Sequence, residues 1–253
     1  MGTVFSIDIR DPGDWARPVR DVIAWLHGVD AVFSTYKDGS DISRIGRGEL
    51  TAGEADPRVP EVLALCERAQ KDTNGFFTAR WRGAAAAAAG APAVVDPTGI
   101  VKGWAIERAS GILRGHGSRD HCVNGGGDVQ LAGEASPGAQ WHVGISDPRD
   151  PSRLVAVVAG RDIAVATSGV AERGDHIVDP RTGRPPDRLL PGSLVSATIT
   201  GPSLTLADAY ATAAFAMGPA ALDWVRAMPG YEALLVTRDG TLTSTPGFPS
   251  PRG

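Results

Sequence analysis

The feature that most constrains this chain is a series of short strand-like runs in its second half. They lie at 121–124, 128–132, 141–146, 154–159, 162–167, 195–200 and 232–237, separated by turns rich in Gly, Pro and Asp. Short apolar runs bounded by such turn residues read as strands. The helical stretches are gathered elsewhere in the chain and do not alternate strictly with the strands. That segregation predicts the α+β class.

One more strand opens the chain, where Val4, Ser6 and Asp8 alternate with Phe5, Ile7 and Ile9. A helix is predicted from about Ala16, with Val19, Val22, Ile23, Leu26, Val29 and Phe33 on its buried face. The polar stretch 34–46 reads as a loop. A second helix spans 56–75, with Asp56 as cap, Pro57 in its first position and Gly75 at its end. The six-alanine run at 83–90 is a short helix or a surface loop without assigned function. Helices follow at 96–115 and 203–218, the latter with a short successor at 219–228.

With 253 residues, 42% of them hydrophobic, the chain can bury a substantial core. Neither a linker nor an internal repeat divides it, so a single domain over 1–253 is expected. Its 25 basic and 29 acidic residues leave a net charge of −4, which argues against a nucleic-acid or anionic-membrane surface. No run reaches the roughly 18 apolar residues of a membrane span. Cys66 and Cys122 stand far apart in apolar contexts and are predicted to be free, buried thiols in a reducing compartment. The opening "MGTVFSIDIR" has neither a basic n-region nor an apolar h-region. A cytoplasmic protein is therefore expected, a trimmed exported form being the alternative.

Asp208 is the misfit of the 203–218 helix. Ser203 caps that helix, alanines fill it, Gly218 ends it, and Leu206, Tyr210, Ala213 and Met217 mark a buried face. Asp208 shares a side with Thr212, one turn on. The plainer reading is an acid near the positive helix end and a threonine bonding back to a carbonyl. The sharper one is a hard-cation site, since carboxylate and hydroxyl oxygens suit Mg²⁺, although two oxygens are too few.

Four loops also carry chemistry-bearing residues. In "VDPTGIVKG", Asp96 precedes a Gly99 turn into a helix, and Lys102 lies in the first turn. A lysine there opposes the dipole but serves a bound anion; an exposed surface lysine is the alternative. "NGGGD" (124–128) reads as a bulge or hairpin, since no helix follows it. In "TSGVAERGDHIVDPRTGRP" (167–185), His176 precedes Asp179 by three, which suits a general base oriented by a carboxylate or a solvated hairpin loop. The 34–46 loop carries Tyr36 among small polar residues. The sequence has no His-cluster, CxxC, G-x-S-x-G or P-loop signature, which removes zinc-hydrolase, thiol-redox, α/β-hydrolase and Walker-type readings.

Taken in order, "MGTVFSI", "STYKDGSDISRI", "DPTGIVKGWAIE", "NGGGDV", "ATSG", "HIVDPRTGRP" and "ADAYATAAFAMG" resemble the ApbE-type FAD:protein FMN transferases. The resemblance runs from Met1 to about Gly218. It implies one α+β domain with mixed or antiparallel sheets and helices packed against them. It implies FAD as substrate, Mg²⁺ as cofactor, and transfer of FMN to a Thr or Ser hydroxyl of an acceptor flavoprotein, with AMP released. It places metal ligands on Asp208, Thr212 and the Gly99 carbonyl. Flavin-nucleotide contacts fall on Met1, Tyr36, Phe76, Phe77, Thr78, Asp96, Lys102 and His176. Thr78 stands where the family usually has an acid. Lys102 is then the electrostatic catalyst and His176, with Asp179, the base. The alternatives are an FAD pyrophosphatase that uses water as acceptor, and a non-catalytic FAD-binding or storage protein.

Overall fold

The computed structural model describes residues 2–81, 94–170, 177–187 and 192–249. Met1, His176 and the six-alanine run lie outside the described residues. Strand β1 (Phe5–Ile9) keeps the predicted alternation, with Phe5, Ile7 and Ile9 half-buried and Ser6 and Asp8 exposed. Helix α1 (Ala16–Phe33) buries Pro18, Val22, Leu26, Val29, Val32 and Phe33. Ile23, predicted on that face, is 45% exposed. The buried stripe is turned toward Pro18 and Val32 and away from Ile23, since the face of α1 that packs is the one from which Trp25 Nε1 donates a 3.0 Å bond to the Ala105 carbonyl of a neighbouring helix.

The predicted 34–46 loop contains a helix, α2 (Asp41–Gly46). Ser40 Oγ accepts from the Ser43 N–H at 3.2 Å, and Ile42 is fully buried. One capped turn with one anchor has too little periodicity to be read from a pattern. Helix α3 (Arg58–Asp72) starts one residue later than predicted, with Pro57 at its N-cap, and ends three residues earlier; Asp56 Oδ1 still accepts from the Arg58 N–H at 2.9 Å. The short strands β2 (Arg80–Trp81) and β3 (Val94–Val95) pair with each other.

Helix α4 (Thr98–Gly115) leads into the hairpin of β4 (His121–Gly125) and β5 (Asp128–Ala132). Gly126 and Gly127, both at positive φ, make that turn, so the "NGGGD" run is the predicted hairpin. Strands β6 (Trp141–Asp147) and β7 (Asp150–Gly160) form a separate hairpin. Then come β8 (Ala164–Gly169), β9 (Leu194–Gly201), helix α5 (Leu204–Met217), a 3-10 turn at Gly218–Ala220 and helix α6 (Ala221–Arg226). Strands β10 (Glu232–Thr237) and β11 (Leu242–Ser244) close the chain.

The main sheet runs β1-β4-β5-β8-β9-β10-β11, with every neighbouring pair antiparallel. The class is α+β, as the segregated elements predicted. On one face Ala164, Ala166, Ala197, Ile199 and Leu235 pack under the helices. On the other, Val129, Leu131, Val165 and Leu234 pack against Trp141, Ile145 and Val158 of the β6–β7 hairpin.

Helix α5 lies at the centre and departs from the one-sided helix predicted. All of its residues are buried except Thr212 and Met217, which are half-buried. Its alanines let α4 and the sheet approach at backbone distance, where larger side chains would hold them apart. Trp104 of α4 anchors the far side. It is 2% exposed, tilted against Trp25 at 5.0 Å and edge-on to Phe33 at 5.7 Å. Truncating a buried aromatic of this size costs about 3–5 kcal/mol. Cys66 and Cys122 are both free, but only Cys66 is fully buried; Cys122 is half-buried on β4, between β1 and β5. Among the described residues no helix is long and apolar enough to cross a membrane.

Candidate active site

The site starts from the crossing of α4 and α5. The two helices run antiparallel. Near one end Glu107 Oε2 accepts from Ser203 Oγ (2.8 Å), the Thr205 N–H (2.8 Å) and Thr205 Oγ1 (2.6 Å). One turn along, the Gly103 N–H donates to Asp208 Oδ2 at 2.8 Å. A Cβ on Gly103 would lie 2.5 Å from the Leu204 carbonyl oxygen and 2.7 Å from Asp208 Cβ, so only glycine permits this approach. The same register, continued by one more turn, sets Gly99 level with Thr212. Thr212 Oγ1 lies 3.2 Å from Ser168 Oγ on β8.

Beside this crossing lies a buried ion pair. Lys102 Nζ is 2.7 Å from Asp128 Oδ2, and Asp128 is 1% exposed. Asp128 Oδ1 accepts from the Thr167 N–H at 3.0 Å, which ties α4, β5 and β8 together. Burial pushes the Asp128 carboxyl well above its usual range and the charge of Asp208 pushes it further, while Lys102 pulls it down. Two buried carboxylates thus feel each other across a site to which Lys102 brings a single ammonium.

The predicted nucleotide contacts form a second group. Phe77 is 3% exposed, and its ring lies against Gly99, where a Cβ would meet Phe77 Cε2 at 3.0 Å. Phe76, half-buried, carries the Arg181 guanidinium 3.4 Å above its ring centroid. Arg181 in turn holds Asp179: its N–H and Nε donate to Oδ1 at 2.9 and 3.1 Å, and Nη2 to Oδ2 at 3.1 Å. Burial by itself pushes the Asp179 carboxyl up, but the side-chain bonds, the backbone bond and the charge of Arg181 together outweigh it and hold the carboxyl below its usual range. Thr78 is half-buried and bonds locally to Arg80. Asp96 is exposed, and its Oδ1 accepts the Thr98 N–H at 3.0 Å at the start of α4. Tyr36 is 82% exposed. Met1 and His176 lie outside the described residues.

A cleft of about 410 Å³ opens next to these groups, lined by Asp179, Thr182, Arg184, Pro185, Pro186, Asp187 and Ala216. Ala216 is one turn beyond Thr212 on α5, so the cleft continues the line Asp208–Thr212. Among the described residues, no three His, Cys, Asp or Glu side chains gather as a metal set. A cation here would depend on a carboxylate, a hydroxyl and a backbone carbonyl, the hard-oxygen set that Mg²⁺ prefers.

Sequence reasoning passed over Asp128, Gly103 and Ser168. Asp128 carried a signal: in β5 it shares with Gln130 the face opposite to Val129 and Leu131, which places a carboxylate under the helices. Gly103 and Ser168 carried none, because their roles depend on which helix and strand lie beside them.

The model of the ApbE family matches residues 1–89 and 79–235. A protein of Vibrio cholerae serotype O1 named FAD:protein FMN transferase is 33% identical over 49% of this chain and 39% of its own length. One of Rhodobacter capsulatus with the same name is 35% identical over 63% of this chain and 34% of its own length. The chain thus aligns with well under half the length of these curated relatives. The solved structure of the flavin transferase ApbE from Vibrio cholerae superposes with a TM-score of 0.80 at 25% identity, over 98% of this chain and 95% of that one.

Proposed function

The chain belongs to the ApbE family, and from that premise we propose that it is a Mg²⁺-dependent flavin transferase. It takes FAD, moves the FMN half to a Thr or Ser hydroxyl of an acceptor flavoprotein and releases AMP, within one domain over 1–253. The names of the relatives support the reaction class. The observation that carries the reading for this chain is the charge imbalance at the α4–α5 crossing. Asp128, paired with Lys102, and Asp208 are both buried and close enough for the charge of Asp208 to raise the Asp128 carboxyl, and Thr212 follows Asp208 by one turn of α5. A storage protein has no need of such a costly buried acidic pair. A divalent cation would relieve it.

The residues fit that cation. Asp208, Thr212 and the Gly99 carbonyl would hold it. Bound there, Mg²⁺ supplies charge neutralisation at the phosphoryl oxygens and makes the pyrophosphate a better electrophile.

The remaining work falls to the chain itself. Lys102 places an ammonium beside the phosphates and stabilises their charge in both ground and transition states. The half-buried ring of Phe76 under Arg181 and the buried Phe77 against Gly99 form an apolar wall for the flavin nucleotide, joined by Thr78 and Asp96. Met1 and Tyr36 complete the proposed contacts. His176 takes the proton of the acceptor hydroxyl, since imidazole titrates near neutrality. Asp179 keeps lone pairs beyond those that Arg181 uses and orients that imidazole. Phosphoryl transfer is mainly positioning and electrostatics, so these few groups suffice. Two free thiols agree with a cytoplasmic setting.

The test is incubation with FAD, Mg²⁺ and an acceptor flavoprotein, read by mass spectrometry. Covalent FMN on an acceptor Thr or Ser, with AMP in solution, is expected. Free FMN and AMP with an unmodified acceptor would replace the transferase by a pyrophosphatase.

A further inference from the structure

Gly103 is the fifth residue after Thr98 in α4, and a regular α-helix directs its N–H to the carbonyl of Gly99, four residues back. Here that N–H donates to Asp208 Oδ2 at 2.8 Å, from a helix more than a hundred residues away in sequence. An N–H proton that donates to a carboxylate across a helix crossing is drawn away from the carbonyl along its own helix axis. A charged acceptor also competes better than a neutral one.

The approach that makes this possible is built into both helices. At Gly103 a Cβ would sit 2.5 Å from the Leu204 carbonyl oxygen and 2.7 Å from Asp208 Cβ. Gly111 lies on the same helix with open space around its Cβ position, so close contact is a property of Gly103 and not of every glycine in α4. The carboxylate that arrives is itself 4% exposed, so water does not compete for the bond.

We propose that Asp208 and Gly103 act together as positioning residues that open the first turn of α4 and present the Gly99 carbonyl as an oxygen ligand. The inference rests on the metal reading above, and adds to it how a helical carbonyl becomes available. Asp208 Oδ2 takes the Gly103 N–H and fixes the carboxylate plane. The Gly99 oxygen, with that donor drawn toward Asp208, has a lone pair to offer a cation on the side where Asp208 meets the same amide. Thr212 lies one turn further along α5, level with Gly99. Gly103 is required because any side chain would part the helices and return the N–H to its own helix.

Two measurements test this. The first is NMR on isotope-labelled wild-type protein, reading scalar couplings across hydrogen bonds from the Gly103 amide nitrogen. A coupling to the Asp208 side-chain carboxyl carbon is expected. In Asp208→Ala the coupling should move to the Gly99 carbonyl carbon. A wild-type Gly103–Gly99 coupling as large as those along the rest of α4 overturns the inference, and this needs no variant to fold. The second is uptake of Mn²⁺ alone by the apo-protein, with circular dichroism as a check on folding. Gly103→Ala should weaken Mn²⁺ binding about 10–100-fold, the range for residues that orient metal ligands. Gly111→Ala should leave it unchanged. A folded Gly103→Ala protein that binds Mn²⁺ like wild type also overturns the inference. Wild-type protein that takes up no Mn²⁺ overturns the metal reading instead, whatever the couplings show.

Discussion

Lys102 Nζ lies 2.7 Å from Asp128 Oδ2, and this contact joins the first turns of α4 to a carboxylate buried beneath the helices in β5. Lys102 is therefore tethered before any phosphate arrives. Its charge offsets part of the repulsion between Asp128 and Asp208.

The pair should behave as a unit. Lys102→Met leaves a buried carboxylate without its cation and should cost about 2–4 kcal/mol, somewhat under the full cost of breaking a buried pair because Lys102 is partly exposed. The sign of the pH dependence follows from the raised carboxyl. In the folded protein Asp128 holds its proton to higher pH than in the unfolded chain, so the variant should lose stability as pH rises above the unfolded carboxyl value. Lys102→Met/Asp128→Asn should recover most of the loss. Denaturant melts of the three proteins at several pH values check this. Additive losses in the double variant would mean that the two side chains act independently.

Asp208→Asn keeps an oxygen for the Gly103 N–H but removes the charge. Flavin transfer should become undetectable while the melting temperature moves by only a few degrees, about the shift expected for 1 kcal/mol in a domain of this size. Labelled acceptor and thermal melts give the two readings. Wild-type transfer in this variant with chelator present would refute the metal assignment.

Lys102 and His176 should separate in function. Loss of a charge-assisted contact to the FAD phosphates costs roughly 1.5–3 kcal/mol of binding. A folded Lys102 variant should accordingly bind FAD more weakly and turn over more slowly. His176→Ala should keep most of its FAD affinity, lose about 10²–10⁴-fold in transfer, and recover partly at high pH. FAD titration and acceptor labelling of each variant decide the matter. If His176→Ala loses FAD binding as severely as Lys102 variants do, the histidine is a ligand contact and not the base.

His121 predicts acid sensitivity far from the site. It is fully buried, with Nε2 2.7 Å from Ser110 Oγ and Nδ1 2.9 Å from Ser118 Oγ. Burial, reinforced by the charge of Arg114, lowers it to about 4, against smaller opposing effects from Asp11, Asp120 and Asp162. The unfolded chain then binds the proton first. Stability should fall as pH drops from about 6.5 to about 4, by something on the order of 2 kcal/mol. His121→Gln should flatten that part of the pH profile in chemical denaturation. An unchanged slope would place the acid sensitivity elsewhere.

Cys66 and Cys122 should be slow to alkylate at neutral pH, since burial pushes their thiols up to about 12 and about 11. Unfolding without reductant should release two reactive thiols. The half-buried Cys122 should react first in the native protein.

The sequence by itself determined the class and the longer elements, but not the short pieces α2, β2, β3 and β11. Strands from β4 to β10 appear within about two residues of their predicted limits, except that β7 starts four residues earlier, because alternation and turn residues act over a few residues, within one short window. Asp208 also stood out locally, as a carboxylate among alanines. Helix α2 stayed hidden because one buried isoleucine and one serine cap make no pattern. What the tertiary structure decided is everything that needs two distant segments side by side. Only the packing shows that α5 is buried almost all round. Only the packing brings Asp208 to the Gly103 amide, Asp128 to Lys102 and Ser168 to Thr212. The physical reason is range. Propensity and capping are set by neighbours in the chain, whereas a hydrogen bond or buried charge pair depends on distances that no residue's own sequence neighbourhood contains.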